Sequence, residues 1–364
     1  MKKIYISTIA AALLSTGALA ESNTIKEAFA NGKTSGDISV YGESVNKSGA
    51  NQDSGFSVSS IGLSYETDSI SGFKGAVGFR TNHKLSEKED ADFDETTPKS
   101  VFHTANVSYT TDKASLTIGR QAIDLEWIGD YHEAVVAALT YVPDTTIVLG
   151  HTERWMAADA DGALEEMAVS GTEKGANVVD VKYDGIKGTT INPYFMDAPD
   201  VFSAYGLKVT SNISGIDLTA HYAATSEDAA GAQDGSIAHL EIGTTVSDVT
   251  LAAGYVTTDK DAGVGSITTL GDNIDPFEDN GKTYNTDADS YYVSAATEIS
   301  SVSLSAFYGS TTSGTANDKN SEFFVTAGTT VAENLALDLL VSTVNAENSA
   351  DDTDKITLMA TYSF

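Results

Sequence analysis

The sequence predicts an all-β fold, a transmembrane antiparallel β-barrel of about 18 strands, and three observations carry that expectation. Short segments of alternating polarity recur along the chain, and the connections between them alternate between tight and long. The two ends read as an export signal and a terminal barrel strand.

At the start of the chain, Lys2 and Lys3 precede an apolar stretch from Ile4 to Gly17, and Ala18-Leu19-Ala20 gives a small-x-small cleavage pattern before Glu21. The apolar stretch is too short for the roughly 20 residues that a spanning helix needs. Residues 1–20 therefore read as a cleaved signal peptide, 21–34 as a periplasmic segment and 35–364 as the barrel. At the other end, Ile356, Leu358, Ala360, Tyr362 and Phe364 alternate with small or polar residues, as in a barrel strand meeting a membrane interface.

Composition agrees. No stretch after residue 20 is apolar for long enough to cross a bilayer as a helix. Glycine, threonine and serine abound, and only 5 prolines occur, which favours strands. Cysteine is absent, so no disulfide framework or thiolate chemistry is available. Acidic residues outnumber basic ones 52 to 21, which argues against a nucleic-acid partner.

The alternating segments are eighteen. The first six are 35–45, 56–67, 73–82, 100–111, 114–121 and 133–142. Next come 145–155, 177–185, 189–197, 200–211, 215–225 and 236–246, and the last six are 248–258, 289–299, 301–311, 321–331, 334–344 and 355–364. Sixteen strands is the alternative if 114–121 and 189–197 are loops. Connections after even-numbered strands are tight, whereas 83–99, 156–176, 259–288 and 345–354 are long and acidic; the odd connection 198–199 is short and breaks the contrast. Short periplasmic turns and long outer loops alternate in this way in a barrel. A soluble sandwich has no reason to gather its long loops at one end.

Charge supplies a second test, because Lys or Arg facing lipid at the midplane costs roughly 2–4 kcal/mol. Charged residues within strands should then share a face with polar neighbours. Lys74 lies opposite Phe73 and Val77; Asp180 and Lys182 lie opposite Val179, Val181 and Tyr183. Lys208, Asp217, Glu241 and Asp338 are likewise flanked by apolar residues of the other parity, which places all seven on the lumen wall.

Several stretches resemble the Opr-type porins of the epsilon-proteobacteria, relatives of the OprD porins. They are Thr24-Ile-Lys-Glu-Ala-Phe29, Gly32-Lys-Thr-Ser-Gly-Asp37, the run from Gly119 to Ala134, and Pro143-Asp-Thr-Thr-Ile-Val-Leu-Gly150. His221-Tyr-Ala-Ala224, Ile237-Ala-His-Leu240, Gly254-Tyr255 and Thr257-Thr-Asp-Lys260 extend the resemblance over most of the chain. It implies an outer-membrane channel for small solutes with a third loop folded into the lumen. A basic ladder along the lumen wall also belongs to OprD relatives, but this chain has only Arg80, Arg120 and Arg154.

Selectivity in a pore is set by charges at its narrowest point. The candidates are Asp124, Glu126 and Asp130 on the third outer connection, facing Arg80, Arg120 and Arg154 on the wall. Arg120 has awkward parity, sharing a face with Leu116 and Ile118, and His103 falls on the apolar face of its segment. The acidic runs 87–95, 272–279 and 351–354 lack the spacing of a calcium loop and read as solvated tips, or as sites of cation bridging to lipopolysaccharide. No metal or other cofactor is expected, and no hydrolase, zinc or phosphate-loop motif points to an enzyme. The expected function is passive diffusion of small hydrophilic solutes across the cell outer membrane with a weak preference for cations. A structural or adhesive barrel with little flux is the alternative. Outer-membrane lipid and lipopolysaccharide are the expected partners; a homotrimer is compatible with this class, though no residue marks an interface.

Overall fold

The computed structural model describes residues 22–170, 172–314 and 318–364. The signal-peptide reading falls outside them. A one-and-a-half-turn helix, α1 (Ile25–Ala30), precedes the barrel, with the Thr24 hydroxyl accepting the Glu27 N–H as its cap. It docks beneath the first turn, where the Ala28 carbonyl accepts the Asp68 N–H.

Eighteen strands follow in one antiparallel sheet. They are β1 (Lys33–Lys47), β2 (Ser54–Glu66), β3 (Phe73–Glu87), β4 (Ser100–Thr110), β5 (Ala114–Ala122) and β6 (Tyr131–Leu139). Then come β7 (Thr145–Met156), β8 (Ala176–Ile186), β9 (Thr189–Ala198), β10 (Phe202–Ile213), β11 (Ile216–Glu227) and β12 (Ser236–Val246). The last six are β13 (Val249–Thr258), β14 (Asp289–Ile299), β15 (Val302–Ser313), β16 (Asp318–Ala332), β17 (Leu335–Asn345) and β18 (Thr353–Ser363). Each pairs with its sequence neighbours, and β1 pairs with β18 from Asp37↔Ser363 to Lys47↔Thr353, so the sheet closes. Closure removes the unpaired edges of an open sheet. A two-residue strand, Ala168–Val169, pairs only with the end of β7. Both 114–121 and 189–197 are strands, so eighteen is the count rather than sixteen.

One end carries tight turns whose backbone suits the right-handed twist of the flanking strands. Ser214 and Gly215 (φ 55° and 86°) join Ile213 to Ile216, and Ser300 and Ser301 (φ 50° and 70°) join Ile299 to Val302. Two successive left-handed residues make type I′ turns, the favoured two-residue hairpin. The other end carries nine connections: L1 (48–53), L2 (88–99), L3 (123–130), L4 (157–175), L5 (199–201), L6 (228–235), L7 (259–288), L8 (314–317) and L9 (346–352). Strands are longer than their alternation suggests, because β1 and β3 continue into segments too polar to register as alternating.

Ile38, Val40, Val77, Val107, Ile118, Leu207, Leu240, Ile242, Leu358 and Tyr362 are exposed on the outside of the barrel. A closed sheet with apolar residues outside pairs its own backbone and turns grease outward. Inside lies an apolar cluster that includes Ile123, Trp127, Met196, Ile267, Leu270, Phe277, Phe307 and Phe324. It joins L3 and L7 to the inner wall, so a sector of the interior is dry. The expected wet inner surface holds only for the rest. The acidic run 272–279 is therefore not a solvated tip: it lies within the lumen, because Ile274 and Phe277 anchor it in this cluster.

Candidate pore constriction

L3 is a hairpin. Its ends are joined by Ile123 N–H to Asp130 O (2.9 Å), and Leu125 and Ile128 exchange backbone hydrogen bonds across the corner Glu126-Trp127. Trp127 takes φ 63°, which a side chain of its size seldom adopts. Such strain of order 1–3 kcal/mol persists only where surroundings hold it. The indole is completely buried; its N–H donates to the Tyr194 hydroxyl (2.8 Å), and that hydroxyl is hydrogen-bonded to His221 Nε2 (2.7 Å). Because an indole N–H can only donate, the direction of the first bond is fixed. The base of the hairpin is held by His132, fully buried, whose Nε2 donates to the Gly129 carbonyl (2.7 Å) while Nδ1 meets the Thr152 hydroxyl (2.8 Å).

Glu126, beside Trp127, is buried and bonded to Lys208 Nζ of β10 at 3.0 and 3.3 Å, and it accepts the Asn273 amide of L7 at 2.6 Å. Burial opposes its ionisation, but Lys208, Asn273 and His221 outweigh that and hold its carboxyl below the ordinary value. Burial raises the Asp124 carboxyl, against the pull of Lys182. Asp130 sits at the base of the hairpin with φ 66°, away from the tip.

The arginines do not surround this tip. Arg80 lies in the middle of β3, with Nη1 and Nη2 forking onto Asp37 (2.9 and 2.7 Å) and Nη1 donating to Ser60 (2.7 Å). Arg120 is corrected more strongly: alternation with the exposed Leu116 and Ile118 puts it on the outer face, where it pairs with Glu133 at 2.8 Å. A bulge at Glu153 brings Arg154 into register with Glu133, exposed at the upper end of β7. A second bulge, in β4, turns His103 inward, where it is buried and its ring lies 4.3 Å from that of Tyr131. Charge balance thus comes from Lys208, not from an arginine row.

The other wall residues fall as follows. Lys74 pairs with Glu66 (2.7 Å) near the tight-turn end, and Asp217 accepts the Asn212 amide (2.6 Å) there. Asp180 is buried with Asn192 (3.0 Å), and Glu241 accepts the Tyr292 hydroxyl (2.6 Å). Lys182 sits beside Thr146 in register on β8. Asp338 lines a cavity of about 630 Å³ with Asp37, Arg80, Glu278 of L7, Ala160 of L4, Phe324 and Met359. L4 reaches this cavity because Asn82 of β3 donates to the carbonyls of Asp159 (2.8 Å) and Gly162 (2.7 Å).

L7 is the part that sequence reasoning missed. It meets L3 where Gly271 lies against the Trp127 carbonyl, so close that a Cβ would stand 2.9 Å from it. Val264, Ile267, Leu270, Ile274 and Phe277 recur every three or four residues within this acidic connection and are all buried. That recurrence was the available signal, because a solvated loop has no use for it.

No family model and no curated protein matches the sequence. Solved structures do match. The barrel has the fold of the Occ porins. OccAB4 of Acinetobacter baumannii superposes with a TM-score of 0.75 at 15% identity, covering 91% of this chain and 98% of that one. OpdK of Pseudomonas aeruginosa, solved with vanillate, gives 0.72 at 14% identity over 91% and 98%. A BenF-like porin from Pseudomonas fluorescens Pf-5 gives 0.76 at 14% over 93% and 99%. At these identities the likeness is one of fold.

Proposed function

We propose that this chain is an outer-membrane porin of the OprD type, through which small hydrophilic solutes and ions diffuse passively with a weak preference for cations. The observation that carries the reading is the L3 hairpin folded into a closed barrel, its tip neutralised by Lys208, beside an open cavity whose lining holds Asp37, Glu278 and Asp338 against Arg80 alone. Three carboxylates against one guanidinium in that lining give the field there a negative sign. Pores of this fold in Pseudomonas and Acinetobacter support the solute-channel part. With two of three arginines on the outer face, a lane for carboxylates such as vanillate has no support here.

The narrower likeness to epsilon-proteobacterial porins rests on the sequence stretches alone. Export by residues 1–20, residence among lipopolysaccharide and a homotrimer belong to the same proposal. Reconstitution in planar bilayers tests it: under a KCl gradient the reversal potential should show potassium more permeant than chloride. A null or anion-favouring potential removes the preference. The dry cluster between L3, L7 and the wall favours a second reading, a structural barrel with little flux, and a folded protein without conductance would establish that instead.

A further inference from the structure

Glu322, on the inner face of β16, is completely buried, and its carboxylate accepts three consecutive backbone N–H groups of L7. They are those of Glu278 (3.2 Å), Asp279 (3.2 Å) and Asn280 (2.9 Å). Successive N–H groups curved around an anion form a nest; here the anion is the protein's own. Two of these three residues are also gripped from neighbouring strands. Ser342 of β17 donates to Asp279 (2.6 Å), Lys355 of β18 pairs with Asp279, and the Asn280 amide donates to Thr311 of β15 (2.8 Å). One residue earlier, the Phe277 ring stands edge-on to Phe307 at 5.4 Å. Lys282 pairs with Asp318 (2.5 Å) one turn of chain further on. Four adjacent strands thus hold one short arm of a connection that is otherwise irregular.

We propose that Glu322 is the positioning residue of a latch, holding the arm 277–280 of L7 against β15 to β18 and so setting the width of the path beside Arg80 and Asp338. The arm carries Glu278 to the lining of the cavity that Arg80, Asp338 and Ala160 share. Moving it moves that wall. Glutamate is required because both carboxylate oxygens accept; a glutamine keeps the size but aims an amide N–H₂ at a row of donors. The proposal rests on the pore reading, and it differs from a merely packed loop in requiring both acceptor oxygens.

Two measurements on the full mature barrel refolded in detergent separate the possibilities: hydrogen exchange at the amides of residues 278–280, and single-channel conductance in KCl. Glu322→Gln should speed exchange there by roughly tenfold or more, since it leaves a buried N–H group facing another donor. It should also enlarge the conductance, with added open substates. Glu322→Asp should stay nearer the parent. The chain has no cysteine, so Asp279→Cys with Ser342→Cys creates a single possible disulfide. Its oxidation in the Glu322→Gln background should restore slow exchange and a quiet current, and reduction should undo both. If Glu322→Gln does not assemble, Ser342→Ala with Lys355→Met carries the same expectation from the opposite side of the latch. Unchanged exchange overturns the latch, and fast exchange with unchanged current overturns its role in the path. A parent barrel that never conducts would remove the pore reading while exchange still decides whether Glu322 holds the arm.

Discussion

The Trp127 indole donates to the Tyr194 hydroxyl at 2.8 Å, and the Tyr194 ring lies over Gly206 of the next strand so closely that a Cβ there would stand 2.1 Å from it. Gly206 is thus part of the L3 anchor, acting through the Tyr194 ring. Gly206→Ala should push the ring off its seat, break the Trp127–Tyr194–His221 chain and mimic Trp127→Phe, which removes the donor and keeps most of the bulk. Trp127→Ala should cost more, about 3–5 kcal/mol, because it empties a fully buried site. Urea unfolding of the barrel in detergent gives the order: Gly206→Ala and Trp127→Phe alike, Trp127→Ala worst. A parent-like Gly206→Ala would separate the anchor from the ring.

Breaking one side of the Glu126–Lys208 pair should hurt more than removing both. Lys208→Met leaves Glu126 buried with Asn273 and His221 as its remaining neighbours. A fully buried pair broken in this way loses about 3–5 kcal/mol, and since Lys208 is 31% open to the lumen the loss should be nearer roughly 1–3 kcal/mol. Glu126→Gln with Lys208→Met should recover most of it. A double-mutant cycle on unfolding free energy gives the coupling, and additive losses would show that the pair contributes nothing.

The same carboxylate gives a pH dependence. Its folded value lies below the unfolded one of about 4.3, so the unfolded chain takes up protons first as pH falls. The stabilisation is therefore complete above the ordinary carboxylate range and is lost as pH falls through the folded value. With Trp155 replaced by Phe, Trp127 is the only tryptophan left, and its fluorescence should report L3 loosening in acid. Glu126→Gln should abolish that transition, and a transition that persists would assign it elsewhere.

Strand number and closure were legible because barrel strands carry a two-residue period that polarity alone reveals: Val179, Val181 and Tyr183 against Asp180 and Lys182 is enough. The third connection was legible as the inward loop. Its partner was not. Arg120 misled because charge type was weighed above parity, although Leu116 and Ile118 already placed it outside. Bulges at His103 and Glu153 shift parity by one residue and leave no mark in composition. L7 escaped because its acids draw the eye to solvent, while the apolar residues between them decide where it lies.

Outer placement of Arg120 has a direct consequence for selectivity. Arg120→Gln removes a positive charge beyond the sheet from the lumen, so the reversal potential should not move. Stability should fall by no more than about 0–1 kcal/mol, since both partners are a third exposed. A shift toward cations would put the guanidinium inside after all.

Arg80 predicts the opposite. Arg80→Met removes the one cation among the described residues of the cavity wall and leaves the three carboxylates Asp37, Glu278 and Asp338 there. At about 7 Å through water a unit charge acts with about 0.6 kcal/mol, in opposite senses on the two ions, so the potassium-to-chloride permeability ratio should rise roughly sevenfold. Asp37→Asn with Arg80→Met removes both charges of the pair and should return the ratio close to that of the parent. High salt should shrink the rise, because the cavity is open to mobile ions. Reversal potentials at 0.1 M and 1 M, values at which the screening length falls from about 10 to about 3 Å, give both numbers. An Arg80→Met barrel with parent selectivity at low salt would mean that ions pass elsewhere, and the cavity lined by Asp37, Glu278 and Asp338 would lose its place on the path.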